Sequence, residues 1–333
     1  MQEKIEMALK HISEINAGIE SDALALISSN FASGEFLEKE LIKKLTKKEI
    51  DGSVAAIDSG MLMHRTHGLD LMMIRTIAVN MVYSKNELAH TEYFPVKIPL
   101  QEIEINVAAE EGESMLWRTL VRLKKEINIA LSAIEHFAPC AVLLDGSVAP
   151  LPNDRPSNDS ELLPQYKSLI EDYKKLYTAC RDKKIQLIGI IKDSRGRRFA
   201  DICKPLLKSR CNDSMLLNHL LKENERTSAM RYSTEPSPAL KELGGFANSI
   251  YLSYMKMNKN DLPLRVEFLN FDGGFEKEMA TAYALSAIGE VHAYPAALTE
   301  ADLRVAMGER EFAMLNQLFM ETRALRRNSR PFR

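Results

Sequence analysis

The sequence predicts an α/β fold, and three features of the 333-residue chain support this prediction. Three apolar or alternating runs between residues 52 and 105 indicate an antiparallel meander of strands. Helical patterns then cover roughly 112–137 and 161–182, and each is followed by a short buried-strand pattern. Three strands, helix, strand, helix, strand is the order of an RNase H-like core. We therefore expect a mixed sheet with flanking helices and helical insertions.

The N-terminal 50 residues are predicted to be helical. The apolar residues Ile5, Ala8, Leu9 and Ile12 recur at helical spacing, and "FLEKELIKKLTKKEI" continues with many charges on the remaining face. No internal domain boundary is evident. The chain is therefore divided into an N-terminal helical segment at 1–50, a single RNase H-like domain at 51–320 and a basic C-terminal tail at 321–333.

The predicted meander consists of "SVAAID", "DLMMIRTIAVNMVYS" and "YFPVKIPLQEIEI", with "MHRTHG" and "KNELAHTE" as the loops between them. The helix at 112–137 places Leu116, Leu120, Leu123 and Ile127 at spacings of three to four. The segments "CAVLLDGS" and "IQLIGIIKDS" are then the parallel strands of the core. The segment 148–160 is rich in Pro, Asn, Asp and Ser and is predicted to be a loop.

The second half of the chain mixes the two kinds of pattern. A basic loop, "SRGRRF", precedes the helical pattern "SMLLNHLLKENERTSAM", and "SIYLSYMKM" and "LRVEFL" alternate as strands do. Residues 276–325 return to a helical pattern before the tail "RALRRNSRPFR".

The composition excludes several classes of protein. A hydrophobic fraction of 45%, a charged fraction of 27% and a net charge of -2 describe a globular protein with no overall polyanion-binding charge. The four cysteines lack CxxC spacing, so neither a disulfide scaffold nor structural zinc is expected. We expect the protein to occupy a reducing compartment. No window offers the roughly 18 apolar residues of a membrane span. We expect a cytoplasmic protein that does not enter membranes.

Two aspartates stand where predicted strands end. Asp58 closes "SVAAID" and Asp145 closes "CAVLLD", and in this topology the two strands are neighbours, so both carboxylates reach one rim of the sheet. Glu126, on the intervening helix, can lean over the same rim. Carboxylates this close repel one another unless a cation neutralises them, and hard oxygen ligands select Mg²⁺ or Mn²⁺. The alternative is that each is an ordinary turn or surface residue.

Seven segments of the chain, in this order, resemble the NurA nucleases, RNase H-like exonucleases that work on DNA ends with the hexameric HerA translocase. They are "AAIDSG", "RLKKE", "VLLDGS", "IGIIKDSR", "LLNHLLKENERT", "LPLRVEF" and "YPAALTEAD", and the resemblance covers roughly residues 50–315. It implies a two-metal-ion deoxyribonuclease with 5′ to 3′ exonuclease and single-strand endonuclease activity. It also implies a homodimer docked on HerA, in DNA repair or in defence against foreign DNA.

The resemblance also assigns roles to individual residues. Asp58, Glu126 and Asp145 match the metal-binding carboxylates of the family, and Tyr294 matches a tyrosine that positions substrate. Asp302 stands where the family commonly has a histidine, and it can complete a four-carboxylate set for Mn²⁺ or Mg²⁺. His292 is then a candidate for an acid or base role.

Basic residues follow the last parallel strand. Lys192 is placed to contact a scissile or adjacent phosphate, and Arg195, Arg197 and Arg198 either track a DNA backbone or form a solvated surface. Two histidines, His64 and His67, either approach the site or belong to a loop.

Two other functions fit parts of the sequence. "AAIDSG" after a meander also resembles the phosphate-binding hairpin of actin-like or sugar-kinase-like phosphotransferases, for which the only candidate second glycine turns are Gly244–Gly245 and Gly273–Gly274. The departure at Asp302 leaves a catalytically silent scaffold for a translocase as the other alternative.

Overall fold

A mixed β-sheet forms the centre of the protein in a computed structural model, which describes residues 2–29, 31–65, 69–107, 110–287 and 293–321. The strands are β1 (Ile42–Lys44), β2 (Gly52–Arg65), β3 (Leu69–Ser84), β4 (Glu87–Phe94), β5 (Glu102–Val107), β6 (Ala141–Asp145), β7 (Gln186–Ile191), β8 (Glu225–Thr227), β9 (Met230–Arg231), β10 (Ile250–Lys256) and β11 (Leu264–Leu269). The helices are α1 (Gln2–Ser28), α2 (Glu111–Phe137), α3 (Leu163–Lys183), α4 (Arg198–Cys203), α5 (Asp213–Leu220), α6 (Pro238–Glu242), α7 (Glu276–Ser286), α8 (Ala296–Val305) and α9 (Glu309–Glu321).

The strand order is β1-β8-β10-β11-β7-β6-β2-β3-β4, with β5 on the edge of β3 and β9 on β10. Strands β2, β3 and β4 pair antiparallel, whereas β2–β6 and β6–β7 pair parallel. Helices α2 and α3 supply the connections between the parallel strands. The predicted α/β class, with a meander that continues into parallel strands, is therefore confirmed.

Side-chain alternation divides the core between the two faces of the sheet. On one face, Ile57 and Leu144 pack with residues of α2 and α3. On the other, Ala56 and Leu143 pack with residues of α7 and α8. The central strands β6 and β7 are thus covered on both faces, which is why their sequences read as continuous apolar runs.

The predicted helix at 36–50 is wrong. Phe36 forms a β-bridge with Met230, the Leu37 N–H donates to the Ala229 carbonyl, and β1 pairs with β8. The segment is extended because it completes one edge of the sheet, and the charges that looked like a solvated helix face include Glu38, which binds the buried Arg226.

The predicted helix at 214–230 and two predicted loops are also corrected. Helix α5 ends at Leu220, and after Asn224, which has φ 62°, the chain forms β8 between β1 and β10. "KNELAHTE" is largely strand, because Lys85 and Asn86 have φ values of 51° and 69° and form a two-residue hairpin turn. "MHRTHG" is not wholly a loop, because β2 continues to Arg65.

The helical pattern at 276–325 is divided among α7, α8 and α9 in the described residues. None of the helices that the structure describes has the length and apolar character needed to cross a bilayer.

Candidate metal centre

Two aspartates lie side by side at the end of the parallel part of the sheet. Ile57 pairs with Leu144 in the β2–β6 ladder, so the next residues, Asp58 and Asp145, are in register on strands that run about 4.8 Å apart. Because alternation places both with Ala56 and Leu143, their side chains leave the sheet on the α8 face.

The pKa of Asp58 is raised by its burial and by the neighbouring carboxylates. This residue is 8% exposed, and burial, together with the charges of Asp145, Glu126 and Asp302, raises its pKa from 3.8 to about 7. A hydrogen bond of 2.7 Å from the Ser59 N–H to its Oδ1 offsets only part of this rise. Four carboxylates from distant parts of the chain therefore act on one another here.

Glu126 reaches the same end of the sheet from the opposite face. Its Oε1 accepts hydrogen bonds from the Ser59 hydroxyl and, at 2.8 Å, from Nη1 of Arg122 one helical turn earlier. Burial raises the pKa of Glu126, Asp145 raises it further, and Arg122 and Ser59 counteract the rise. Because Ser59 directly follows Asp58, it links the glutamate to the strand that carries the aspartate.

Asp145 is held by two donors. The Tyr294 hydroxyl donates to its Oδ1 at 2.8 Å, and Nζ of Lys192 lies 3.4 Å from its Oδ2. The same Lys192 ammonium lies 3.8 Å from the centre of the Tyr294 ring. Burial and the negative charge of Asp145 raise the pKa of Tyr294, so its hydroxyl remains a donor.

Asp302 is carried by α8, whose last residue lies directly on β2. A Cβ placed on Gly60 would be 2.2 Å from the Val305 carbonyl oxygen, so the helix reaches this position only because residue 60 is glycine. Asp302 is exposed on α8, and its charge contributes to the raised pKa of Asp58.

The donor chemistry of this set fits a hard divalent cation. All four groups are carboxylates, the ligands that Mg²⁺ and Mn²⁺ prefer, and a cation would relieve the repulsion felt by Asp58. In the described residues, no three His, Cys, Asp or Glu side chains stand together in a ligating arrangement. Instead, Oε1 of Glu126 accepts hydrogen bonds from Ser59 and Arg122, and the two oxygens of Asp145 accept from Tyr294 and Lys192.

A cavity of about 580 Å³ adjoins these carboxylates, and the sequence analysis did not identify Glu267 and Arg265, two charged residues that line it. Glu267, 1% exposed, accepts hydrogen bonds from the Ser147 hydroxyl (2.6 Å), the Val148 N–H (3.2 Å) and Nε of Arg265 (2.7 Å). Alternating charges in "LRVEFL" look like an exposed strand face. The sequence feature that could have identified the pair is that Arg265 and Glu267 carry opposite charges two residues apart, on the same side of a strand, where they can form an ion pair.

The basic residues after β7 divide into two groups. Arg195 lines the cavity. Arg197 is partly exposed, and its Nε lies 3.4 Å from Oδ1 of Asp201. Arg198 points elsewhere, because its guanidinium binds Glu35, Thr234 and the Arg231 carbonyl. The hypothesis that Arg198 tracks a DNA backbone therefore has no structural support.

The remaining candidates do not join the site. His64 lies further along β2, roughly 20 Å from Asp58 for an extended strand, so it is neither close to the site nor a loop residue, the two alternatives that the sequence left open. His67 and His292 lie outside the described residues. Gly244 begins a short 3-10 helix, and the Gly273 N–H is bound by the Asn270 side chain, so neither glycine pair forms an open phosphate turn.

Comparison with known proteins gives one family. A family model described as the NurA domain matches residues 52–306. The crystal structure of the NurA nuclease from Sulfolobus solfataricus is 14% identical, with 96% of each chain covered and a TM-score of 0.63. A structure of NurA bound to dAMP and manganese is 12% identical, with 98% of each chain covered and a TM-score of 0.58. No curated protein sequence matches significantly. At these identities the structural likeness shows a shared fold.

Proposed function

This chain belongs to the NurA family of nucleases, and from that membership we propose that it is a divalent-metal-dependent deoxyribonuclease. The observation that carries the proposal is the register of Asp58 and Asp145 on adjacent parallel strands, with Glu126 and Asp302 close enough to raise the pKa of Asp58. Buried, mutually repelling carboxylates at the end of a parallel sheet are a typical setting for metal-assisted phosphodiester hydrolysis.

Asp58, Asp145, Glu126 and Asp302 are the proposed ligands of Mn²⁺ or Mg²⁺. Two structures that share this fold, at 12% and 11% identity, are described as containing manganese. When bound, a pair of such ions would favour ionisation of the attacking water and offset negative charge on the scissile phosphate.

The residues around the carboxylates have separate proposed roles. Tyr294 and Lys192 fix both oxygens of Asp145, and Arg122 and Ser59 fix Glu126. When the carboxylates turn toward a cation, Lys192 becomes available for a phosphate of the substrate. With Arg195 and Arg197, it would contact the DNA backbone.

Family membership also supports a wider proposal. We propose trimming of DNA ends in the 5′ to 3′ direction and endonuclease action on single strands. The protein would act as a homodimer on a HerA-type hexameric ATPase, in repair or in defence. The net charge of -2 fits a nuclease to which a translocase delivers DNA. Four free cysteines fit a reducing cytoplasm.

Cleavage of end-labelled single- and double-stranded oligonucleotides with Mn²⁺ tests the proposal. We expect Asp58→Asn to lower the rate by about 10³-fold or more, since a neutral amide cannot replace the charge of a metal-binding carboxylate. The matched control is Asp51→Asn, which changes an exposed carboxylate just before β2 and should leave the rate within about twofold.

The two alternatives predict different outcomes. Equal cleavage, or none, in the wild type and Asp58→Asn would support a silent scaffold. Tight ATP binding without cleavage of DNA would support a phosphotransferase. Comparison of substrates labelled at the 5′ and 3′ ends gives the direction of cleavage, since the first released product carries the label of the end attacked.

A further inference from the structure

A buried network of charged and aromatic side chains connects the two loops that follow β6 and β7. At its centre is an ion pair on β11, in which Nε of Arg265 lies 2.7 Å from Oε1 of the buried Glu267. Burial lowers the pKa of Arg265, but the charge of Glu267 outweighs this effect, so the guanidinium stays charged. Each member of the pair uses its other hydrogen-bonding atoms toward a different loop.

Glu267 fixes the loop that begins at Asp145. Its Oε2 accepts hydrogen bonds from the Ser147 hydroxyl at 2.6 Å and from the next backbone N–H at 3.2 Å. The same loop lies directly against β7, because a Cβ placed on Gly189 would be 2.3 Å from the Gly146 carbonyl oxygen. The backbone just after the aspartate is therefore held by a buried carboxylate on one side and by a bare strand on the other.

Arg265 and its partners fix the loop after β7. Nη1 of Arg265 donates to the Tyr254 hydroxyl at 3.3 Å, and this hydroxyl donates to Oδ2 of Asp213 at 2.7 Å. The fully buried Asp213 also accepts from two backbone N–H groups at the start of α4, at 2.8 and 3.0 Å. Its own N–H donates to the Gly196 carbonyl at 2.9 Å, so the network holds the loop close to the point where α4 begins.

The two loops carry the two kinds of residue that the proposed reaction needs. The first begins with Asp145, a proposed metal ligand, and the second carries Arg195 and Arg197, the proposed contacts to the DNA backbone. The network binds backbone and hydroxyl groups of the loops, so its effect on these side chains is indirect. A displacement of either loop by about 1 Å is enough to lower the rate of an enzymatic reaction.

We propose that this network positions the two loops relative to each other, and so sets the distance between the metal-binding carboxylate and the arginines that contact DNA. The positioning residues are Glu267, Arg265, Tyr254 and Asp213. The inference rests on the proposed nuclease function, because it requires Asp145 to bind a cation and Arg195 to bind a phosphate. Glu267 acts on the first loop, Asp213 acts on the second, and the ion pair joins the two halves.

The experiment changes the two ends of the network and keeps its central ion pair, since the loss of one partner would leave an unpaired buried charge. Ser147→Ala removes the hydroxyl that donates to Glu267. Tyr254→Phe removes the link between Arg265 and Asp213 but keeps the buried ring.

The matched controls lose a buried hydroxyl in another part of the fold. Ser228→Ala removes an acceptor for the Glu38 N–H, 3.1 Å away, and Tyr283→Phe removes a hydrogen bond of 2.8 Å to Asn224. Both controls should keep the metal affinity and the KM for DNA of the wild type within about twofold.

Two measurements separate the two loops. The Kd for Mn²⁺ is measured without DNA, from the electron paramagnetic resonance of the free ion, and KM is measured with a single-stranded oligonucleotide at saturating Mn²⁺. We expect Ser147→Ala to raise the Kd about tenfold with little change in KM. Tyr254→Phe should raise KM about fivefold with little change in the Kd. A network that only stabilises the fold would lower Tm in both variants and change neither quantity.

The outcomes distinguish the two levels of inference. A wild type that neither binds Mn²⁺ nor cleaves DNA would overturn the proposed function itself. If the wild type does both, an unchanged Kd in Ser147→Ala or an unchanged KM in Tyr254→Phe would overturn the positioning of the corresponding loop. Circular dichroism identifies a variant that fails to fold. Gly196→Ala, at a partly exposed position where a Cβ would lie 2.5 Å from Nη1 of Arg265, replaces Tyr254→Phe in that case.

Discussion

At the scale of single residues, Asp58 is the carboxyl group of the site whose charged form is opposed by both burial and three neighbouring carboxylates. Its raised pKa means that the folded, metal-free protein resists ionisation of this group, whereas the unfolded chain does not. The protonated carboxyl group therefore stabilises the fold at low pH, and this contribution is lost as the pH rises from about 4 through about 7. The residue that we propose as a metal ligand is thus destabilising at neutral pH without a cation.

Asp58→Asn should remove this pH dependence, because the amide does not ionise. In the presence of a chelator, the free energy of unfolding of the variant relative to the wild type should rise by on the order of 2 kcal/mol from about pH 5 to about pH 8. Urea unfolding at several pH values measures the difference, with Asp51→Asn as the control. A constant difference across this range would show that Asp58 ionises normally.

Tyr294 gives a second prediction at this scale. Tyr294→Phe removes the 2.8 Å hydrogen bond to Asp145 but keeps the ring beneath Lys192, so the carboxylate loses one of its two donors. We expect kcat/KM to fall about tenfold and half-saturation by Mn²⁺ to shift. Tyr93→Phe removes an equivalent 2.8 Å hydrogen bond to Glu300 and is the control. Equal Mn²⁺ dependence in Tyr294→Phe and the wild type would contradict the assigned role.

Some residues of the site could be predicted from the sequence and others could not. Asp58 and Asp145 could be found because the order of elements makes their strands neighbours. The expectation that a strand ends at Asp58 is wrong, because β2 continues to Arg65 against β3, and only its parallel pairing with β6 stops at Ile57. Glu267 and Arg265 could not, since their burial depends on Ser147, which is 120 positions away from Glu267 in sequence and becomes a neighbour only through the β7–β11 pairing. Arg198 binds Glu35, and local sequence could not show this pairing because the two residues are far apart along the chain.

At the scale of elements, long regular segments were predictable and short edge strands were not. Helix α2 and strands β6 and β7 carry their own pattern, whether amphipathic or continuously apolar. Strands β1 and β8 have three residues each, and their conformation is decided by pairing with each other. Because the partners are far apart in sequence, the local helical periodicity of 36–50 was misleading.

Packing of α8 on β2 yields a prediction about an element. Gly60→Ala would place a methyl group against the Val305 backbone and force the end of α8, with Asp302, away from Asp58. We expect the free energy of unfolding to fall by about 1–3 kcal/mol and nuclease activity to fall by more than this loss of folded protein explains. Denaturant unfolding and activity assays on the folded fraction measure the two effects.

The control for this change is Gly112→Ala in the first turns of α2, where an added Cβ contacts nothing within 4 Å. It should be neutral or stabilise by up to about 1 kcal/mol, since alanine is the better helix former. A Gly60→Ala protein with full activity would show that the position of α8 does not matter for the reaction.

At the scale of the whole molecule, the proposed metal site lies at the centre of the sheet, away from both of its edges. Asp58 and Asp145 lie where the pairing of the central strands β2 and β6 ends, and these strands are covered on both faces. Helix α1 packs with α4 and α5 near the β8–β10 end, and β4 and β5 form the other end. A partner could therefore bind either end of the sheet without displacing the strands that carry the site.

The charge distribution gives the final prediction. With a net charge of -2 and with Lys192, Arg195 and Arg197 as the proposed backbone contacts, single-stranded DNA should displace few counterions. Three phosphates correspond to a slope of log K against log salt of about -2. Fluorescence anisotropy of a labelled oligonucleotide with the Asp58→Asn protein measures the slope, and Arg195→Gln should reduce its magnitude by about 0.7. A slope much steeper than this, which returns to about -2 when residues 322–333 are removed, would assign DNA binding chiefly to the basic tail.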